Sequence, residues 1–198
     1  DERAGAPLRS YSIANAPRPD GEIHLLITKV EGGRTSTWVH DTVAVGDQLL
    51  LHGPYGTFVG DPSVETPVLC LASGSGLAPI LGLADGALRR GFKWGTTLIF
   101  SARNPEDVFD QGLMAWWGRK HRTFRNVVTY TGAQPPEGAE FTGRIPTMLG
   151  QIFPSLEKHS IFIAGNPDFV EACAACTKRR KPAPSPNLAV GAYSPSGW

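Results

Sequence analysis

Apolar residues follow two different rhythms along this chain. Up to about residue 60 they come in short runs broken by turn residues. Leu8–Ala14, Glu22–Val30 and Val43–His52 read as strands, the second a mostly apolar run of Ile, Leu and Val. Pro17-Arg-Pro-Asp-Gly21 and Glu31-Gly-Gly33 separate them with turn chemistry. A short helix is expected over Thr35–His40. Regular short strands predict a small barrel or sandwich.

From Thr66 onward, strand and helix patterns alternate. Val68–Ala72 is a continuous apolar strand, followed by glycine-rich residues and an apolar helix to about Leu88. Strands are expected at Thr96–Ser101, Val127–Thr131 and Ser160–Ala164, with a last one at Asn187–Tyr193. Helices are expected at Glu106 to about Lys120, Ile145–Ile152 and Asp168–Lys178. Apolar strands alternating with helices predict a parallel sheet covered on both faces. The boundary falls near Gly60–Pro67, which divides the chain into domains 1–62 and 63–198.

Composition narrows the classes. The 198 residues are 41% hydrophobic and 19% charged, an ordinary globular balance. A net charge of +1 gives no overall pull toward nucleic acid. No apolar run is long enough to cross a membrane, and the first residues do not read as a signal peptide. Cys70 lies in an apolar strand. Cys173 and Cys176 form a C-x-x-C inside a helix, where two packing residues are the plainer reading than a redox pair. Three thiols without a framework predict a reducing, cytoplasmic setting. They are too few for an iron–sulfur cluster, which takes four ligands.

Three segments carry candidate chemistry. Ala72-Ser-Gly-Ser-Gly-Leu-Ala-Pro79 follows the first parallel strand and opens a helix. Gly74 and Gly76 let backbone approach a ligand, and Pro79 is tolerated only in a first helical turn. Free amides there suit a pyrophosphate; a tight turn without a ligand is the other reading. In Arg9-Ser-Tyr-Ser-Ile-Ala-Asn15, Arg9 and Tyr11 share one strand face. A phosphate clamp beside a stacking ring fits a flavin nucleotide; a surface strand with incidental polar residues is the alternative. Gly32-Gly-Arg-Thr-Ser-Thr37 precedes a short helix and makes a second anion nest, or an ordinary capped loop.

These segments, with Gly53-Pro-Tyr-Gly-Thr-Phe58 and Ala164-Gly-Asn-Pro167, occur in an order that resembles the ferredoxin–NADP reductase superfamily. The likeness is closest to reductase components of bacterial aromatic-ring dioxygenases and multicomponent monooxygenases, and runs from Arg9 to about Tyr193. It implies an all-β antiparallel FAD-binding barrel followed by an α/β doubly wound NAD(P)-binding domain. By that resemblance Tyr11 stacks on the flavin ring and Ser12 bonds near its reactive nitrogen. Tyr193 covers the other face. Arg9, Thr35 and Ser36, after Gly33, hold the FAD pyrophosphate. Leu26, Ile27 and Thr28 line the flavin tail. Gly74, Ser75, Gly76 and Pro79 shape the nicotinamide dinucleotide site, and Gly165, Asn166 and Pro167 cover the nicotinamide.

Four departures accompany the resemblance. The barrel strands that come before the Arg-x-Tyr-Ser strand in the family are absent, so the barrel is expected to be incomplete. A frequent Cys-Gly is Ala164-Gly165 here, and a frequent acid near the last aromatic is Gly191. No C-x4-C-x2-C ferredoxin-like run is present. The expected activity is hydride transfer from NADH to FAD, then single electrons to a ferredoxin, an iron–sulfur domain or an oxygenase component. Rival readings are a flavin reductase and a non-catalytic nucleotide-binding subunit. NADH is expected over NADPH, because Thr129-Tyr-Thr-Gly-Ala133 has no cation for a 2′-phosphate; Arg103 is the one substitute, unless it pairs with Glu106 or Asp107.

Overall fold

A computed structural model describes residues 7–61, 63, 65–132, 135–180 and 188–192. Among them, six strands form one parallel sheet: β1 (Val68–Ser73), β2 (Thr96–Ala102), β3 (Phe124–Tyr130), β4 (Phe141–Thr142), β5 (Ser160–Gly165) and β6 (Leu188–Ala192). Their order is β4-β3-β2-β1-β5-β6, and each neighbouring pair is parallel. The chain runs outward from β1 in both directions, as in a doubly wound sheet.

The apolar strands are continuous because both faces are covered. On one face, Cys70, Ala72, Leu98, Phe100 and Ala164 pack under α2 (Leu77–Arg89) and α3 (Gln111–Lys120). Leu77, Ile80, Leu81, Met114 and Trp117 are the helical contribution. On the other face, Leu69, Leu71, Ile99, Val127, Ile161 and Ile163 meet α4 (Ile145–Ile152) and α5 (Pro167–Arg179). Successive residues of β1 thus enter opposite cores, as the period of two requires. All three cysteines are free and buried. Burial pushes the Cys70 thiol up to about 12, and burial followed by the neighbouring Cys176 does the same to Cys173.

The first part of the chain departs from the expected strands. Leu8–Ala14 and Glu22–Val30 meet at one antiparallel bridge, Ile13 with Leu25, and Val43–His52 forms no ladder. A strand is defined by a partner for its alternating N–H and C=O groups, and among the described residues these runs have little of one. Leu49, Leu50, Leu51, Tyr55 and Val59 are exposed there. The helix α1 (Arg34–Asp41) forms where one was expected.

Three smaller differences have local causes. The helix expected from Glu106 is two elements, a 3-10 turn at Pro105–Asp107 and α3. A reciprocal cap between Asn104 and Asp107 closes the turn, and Asp110 sits at φ 49 before α3 starts. β3 begins earlier than expected, at Phe124, whose ring packs edge-on against Trp117. The two-residue β4 was not anticipated, being too short for a periodic signal. No helix among the described residues is long and apolar enough to cross a membrane.

Candidate functional site

The sheet reverses its winding between β1 and β5, and the carboxyl ends of these strands carry the two glycine loops. Open parallel sheets bind ligands at such a reversal. Gly74–Gly76 forms a 3-10 turn that feeds directly into α2. Gly74 has φ 52 and nothing within 4 Å of where a Cβ would stand, so its side of the turn is open. Gly76 faces the other way. A Cβ there would lie 2.5 Å from the carbonyl carbon and oxygen of Ala164 and the nitrogen of Gly165. Gly165 in turn leaves room for Ser73 Oγ and Phe169 Cδ1, atoms a side chain would strike. The two loops therefore touch backbone to backbone, and only Gly74 of the pair faces open space.

The start of α2 has no side-chain cap. In its first turn Leu77 N–H donates back to Gly74 O and Ser75 O and Pro79 has no N–H, so what this end of α2 offers an anion is the positive end of the helix dipole. Ser75 is half-buried within the turn, and Pro79 is the third helical residue, inside the first turn. At β5, Asn166 Oδ1 accepts the Phe169 N–H at 2.9 Å and Pro167 opens α5. Beyond β2, Arg103 is exposed, and among the described residues it pairs with neither Glu106 nor Asp107. The Gly132 N–H donates to Arg103 O at 2.8 Å, and a side chain at Gly132 would strike that carbonyl.

The second candidate site lies on the preceding segments. Tyr11 and Ser12 are half-buried. Burial raises the Tyr11 phenol above its ordinary value, and the Arg9 guanidinium partly offsets this. Arg9 itself is exposed and donates to Leu8 O. The Tyr11 segment joins Leu26–Thr28 through the Ile13–Leu25 bridge, reinforced by Ala14 N–H donating to His24 O at 2.8 Å. Leu26 packs on the core, Ile27 is half-buried and Thr28 is exposed.

Helix α1 is tied back to that run. Ser36 is buried; its hydroxyl accepts the Val30 N–H at 3.1 Å and donates to Gly33 O at 3.2 Å. Thr35 Oγ1 donates to Pro7 O at 2.6 Å. Both hydroxyls are thus engaged within the protein, and the groups left for an anion are the backbone amides of the first turn after Gly33, which has no side-chain cap. Tyr193 lies outside the described residues.

Two further residues organise this site without having stood out in the sequence. Asn15 is buried and stitches the hairpin, its Oδ1 accepting the His24 N–H at 2.7 Å and its Nδ2 donating to Glu22 O at 3.0 Å. His40 Nε2 lies 2.8 Å from Ile27 O and pins the Leu26–Thr28 run to α1. A polar residue between two alanines was the available signal for Asn15; nothing in the spacing marks His40.

Comparison with known proteins agrees with this layout. Residues 70–175 match the oxidoreductase NAD-binding domain family, and residues 3–59 match the oxidoreductase FAD-binding domain family. The chain is 32% identical, over 96% of its length, to the ferredoxin–NAD(P)(+) reductase component of the naphthalene 1,2-dioxygenase/salicylate 5-hydroxylase systems of Ralstonia sp. It is 33% identical, over 89% of its length, to an aromatic O-demethylase reductase subunit from Amycolatopsis sp.. A solved cytochrome P450 reductase from Amycolatopsis is 29% identical and superposes with a TM-score of 0.85 over 96% of this chain. The chain spans only 57%, 53% and 57% of these three proteins, respectively. Two glycine loops meeting at the reversal of a parallel sheet, preceded by an FAD-domain match, identify the chain as a member of the ferredoxin–NADP reductase superfamily.

Proposed function

We propose that this chain is the flavin- and nicotinamide-binding part of a reductase that takes electrons from NADH and delivers them singly to a ferredoxin, an iron–sulfur domain or an oxygenase component. The observation that carries the reading is the pairing of an open glycine turn at the sheet reversal with a half-buried Tyr11–Ser12 pair in the FAD-domain segment. The relatives named as reductase components support it.

The residues present fit both groups. Gly74 leaves the mouth of the crevice open, and the positive end of the α2 dipole suits a pyrophosphate. Gly165, Asn166 and Pro167 form the opposite lip, and Asn166 also caps α5. On the flavin side, Arg9 has guanidinium donors to spare for phosphate, and the free amides of α1 suit the same charge. Tyr11 offers a ring for stacking, Ser12 a hydroxyl, and Leu26, Ile27 and Thr28 an extended backbone. Tyr193 is proposed as the second aromatic cover. A bound flavin supplies the conversion of a two-electron donor into one-electron deliveries; the chain supplies position and exclusion of water. Arg103 is proposed to let NADPH serve as a poorer second donor.

The experiment is direct. The purified protein, equilibrated with FAD and gel-filtered, should be yellow and should bleach on anaerobic addition of NADH. A protein that binds NADH but keeps no FAD, in a preparation including any preceding residues of the natural chain, would overturn the reductase reading.

A further inference from the structure

We infer that Gly82 and Asp85 are positioning residues for hydride transfer: together they fix how far the segment bearing Tyr11 and Ser12 stands from the turn bearing Gly74 and Gly76. The inference rests on the proposed sites, flavin at Tyr11–Ser12 and nicotinamide at the glycine turn.

Asp85 interrupts the apolar run Leu77–Leu88 of α2 and is only 8% exposed. A buried carboxylate is costly unless it is bonded. Its Oδ2 accepts the Ala16 N–H at 2.9 Å, and its Oδ1 accepts Arg89 Nε at 2.8 Å. The first bond crosses from the nucleotide-binding sheet domain to the flavin-side segment. One turn earlier, Gly82 removes the obstacle to the same approach. A Cβ there would lie 2.7 Å from Ile13 O, and 3.7 Å from the backbone N and O of Asn15. Gly86 continues the contact, since its Cβ would lie 3.8 Å from Ala16 Cβ. Positions 82, 85 and 86 share one helix face. They receive Ala14–Ala16, all three buried, with Asn15 turned to its own hairpin.

The geometry makes α2 a strut. Its amino end is the Gly74–Gly76 turn, and Gly82 lies six residues on, about 9 Å along the axis. Ser12 and Tyr11 immediately precede Ile13, which touches Gly82. One rigid element therefore carries the dinucleotide turn at its tip and the Tyr11–Ser12 segment on its flank. Hydride transfer needs reacting atoms roughly 3–3.5 Å apart, and a 1 Å misplacement costs about a hundredfold. A side chain at Gly82 acts on that spacing because the obstructing atoms are backbone.

The test uses the FAD-loaded protein with Gly82→Ala, Asp85→Ala and Asp85→Asn. Stopped-flow reduction at a series of NADH concentrations separates the limiting rate from the apparent Kd. Gly82→Ala should lower the limiting rate by about tenfold, while FAD content and the Kd for NADH stay within about twofold of the parent. The long-wavelength absorbance of reduced flavin facing NAD+ should weaken in parallel, which a merely structural loss would not produce at full FAD content. Asp85→Ala should do the same and also speed hydrogen exchange at the Ala16 amide in the cofactor-free protein. Asp85→Asn keeps an acceptor for that amide and should restore most of the rate. If Asp85→Ala does not fold, Gly82→Ala and Asp85→Asn still decide. Parental limiting rates in the folded variants, or losses explained wholly by weaker FAD or NADH binding, would overturn the positioning role alone. A parent that keeps no FAD would overturn the proposed sites and this inference together.

Discussion

Ser36 and Arg9 are both candidates for the same phosphate, yet their surroundings give them different roles. Ser36 is buried, and its hydroxyl satisfies the Val30 N–H and bonds to Gly33 O. Removing it leaves the half-buried Val30 N–H without that partner, at a cost of about 1 kcal/mol. Ser36→Ala should therefore lower the urea midpoint of the cofactor-free protein and weaken FAD only through a loosened α1. Arg9 is exposed and bonds to its neighbour's carbonyl, so Arg9→Ala should leave that midpoint unchanged. FAD affinity should fall by about five- to a hundredfold, from a lost charge-assisted bond worth roughly 1–3 kcal/mol. Equal unfolding midpoints with equal losses of FAD would contradict this division. Arg103 offers a second residue-scale outcome. Its guanidinium is exposed just after β2, where a cation meets a 2′-phosphate in doubly wound folds. Arg103→Ala should reduce kcat/KM for NADPH by about ten- to a hundredfold and leave NADH nearly unchanged. Equal kcat/KM values for NADPH in parent and variant would remove Arg103 from the site. The glycine pattern was legible in the sequence at Gly74 and Gly76, but the direction each faces was not. That Gly76 presses on Ala164, about ninety residues away, depends on which strands adjoin.

At the scale of elements, the parallel strands were readable because burial on both faces writes itself as an unbroken apolar run. Val68–Ser73, Thr96–Ala102 and Ser160–Gly165 lie within a residue or so of their expected limits. The strands expected on the flavin side do not form to the same degree. Their apolar residues are present, but a strand is a relation between two segments, and among the described residues only Ile13 and Leu25 supply it. Helix starts fell between these cases. Pro79 marks the opening of α2, whereas Glu106 and Asp107, expected to begin a long helix, belong to a separate 3-10 turn capped by Asn104. The start of α5 yields a discriminating measurement. Asn166 caps the helix through Phe169 N–H, so Asn166→Ala should cost about 1 kcal/mol and Asn166→Asp should retain the cap. If Asn166 also touches the nicotinamide, the Asp variant should be as stable as the parent yet lose activity with NADH, since a carboxylate replaces the amide donor. A fully active Asp variant would leave Asn166 as a cap only.

Among the described residues, two apolar cores flank the sheet, and each holds a thiol shielded from water. Cys70 belongs to the α2–α3 side and Cys173 to the α4–α5 side. Burial pushes both up to about 12, from an ordinary 9. The sign follows from which state ionises first. Below pH 9 the thiol is neutral in the folded and the unfolded chain, so its full contribution to stability is present. Between pH 9 and about 12 the unfolded chain loses the proton while the folded one keeps it. Stability therefore falls as pH rises, by on the order of 1 kcal/mol per pH unit per thiol. Lysines and tyrosines titrate in the same range, so the informative quantity is a difference. Cys70→Ala leaves a small cavity and lowers stability at pH 8, but should flatten the decline between pH 9 and 11 relative to the parent. Cys173→Ala should do likewise from the opposite face. Urea unfolding at stepped pH reads this directly, and aromatic-disulfide labelling at pH 8 provides an independent check. Since neither thiol is ionised in the folded chain at that pH, labelling should proceed only as fast as the domain opens. Rapid labelling of Cys70 with the near-ultraviolet dichroism intact would contradict its place beneath α2.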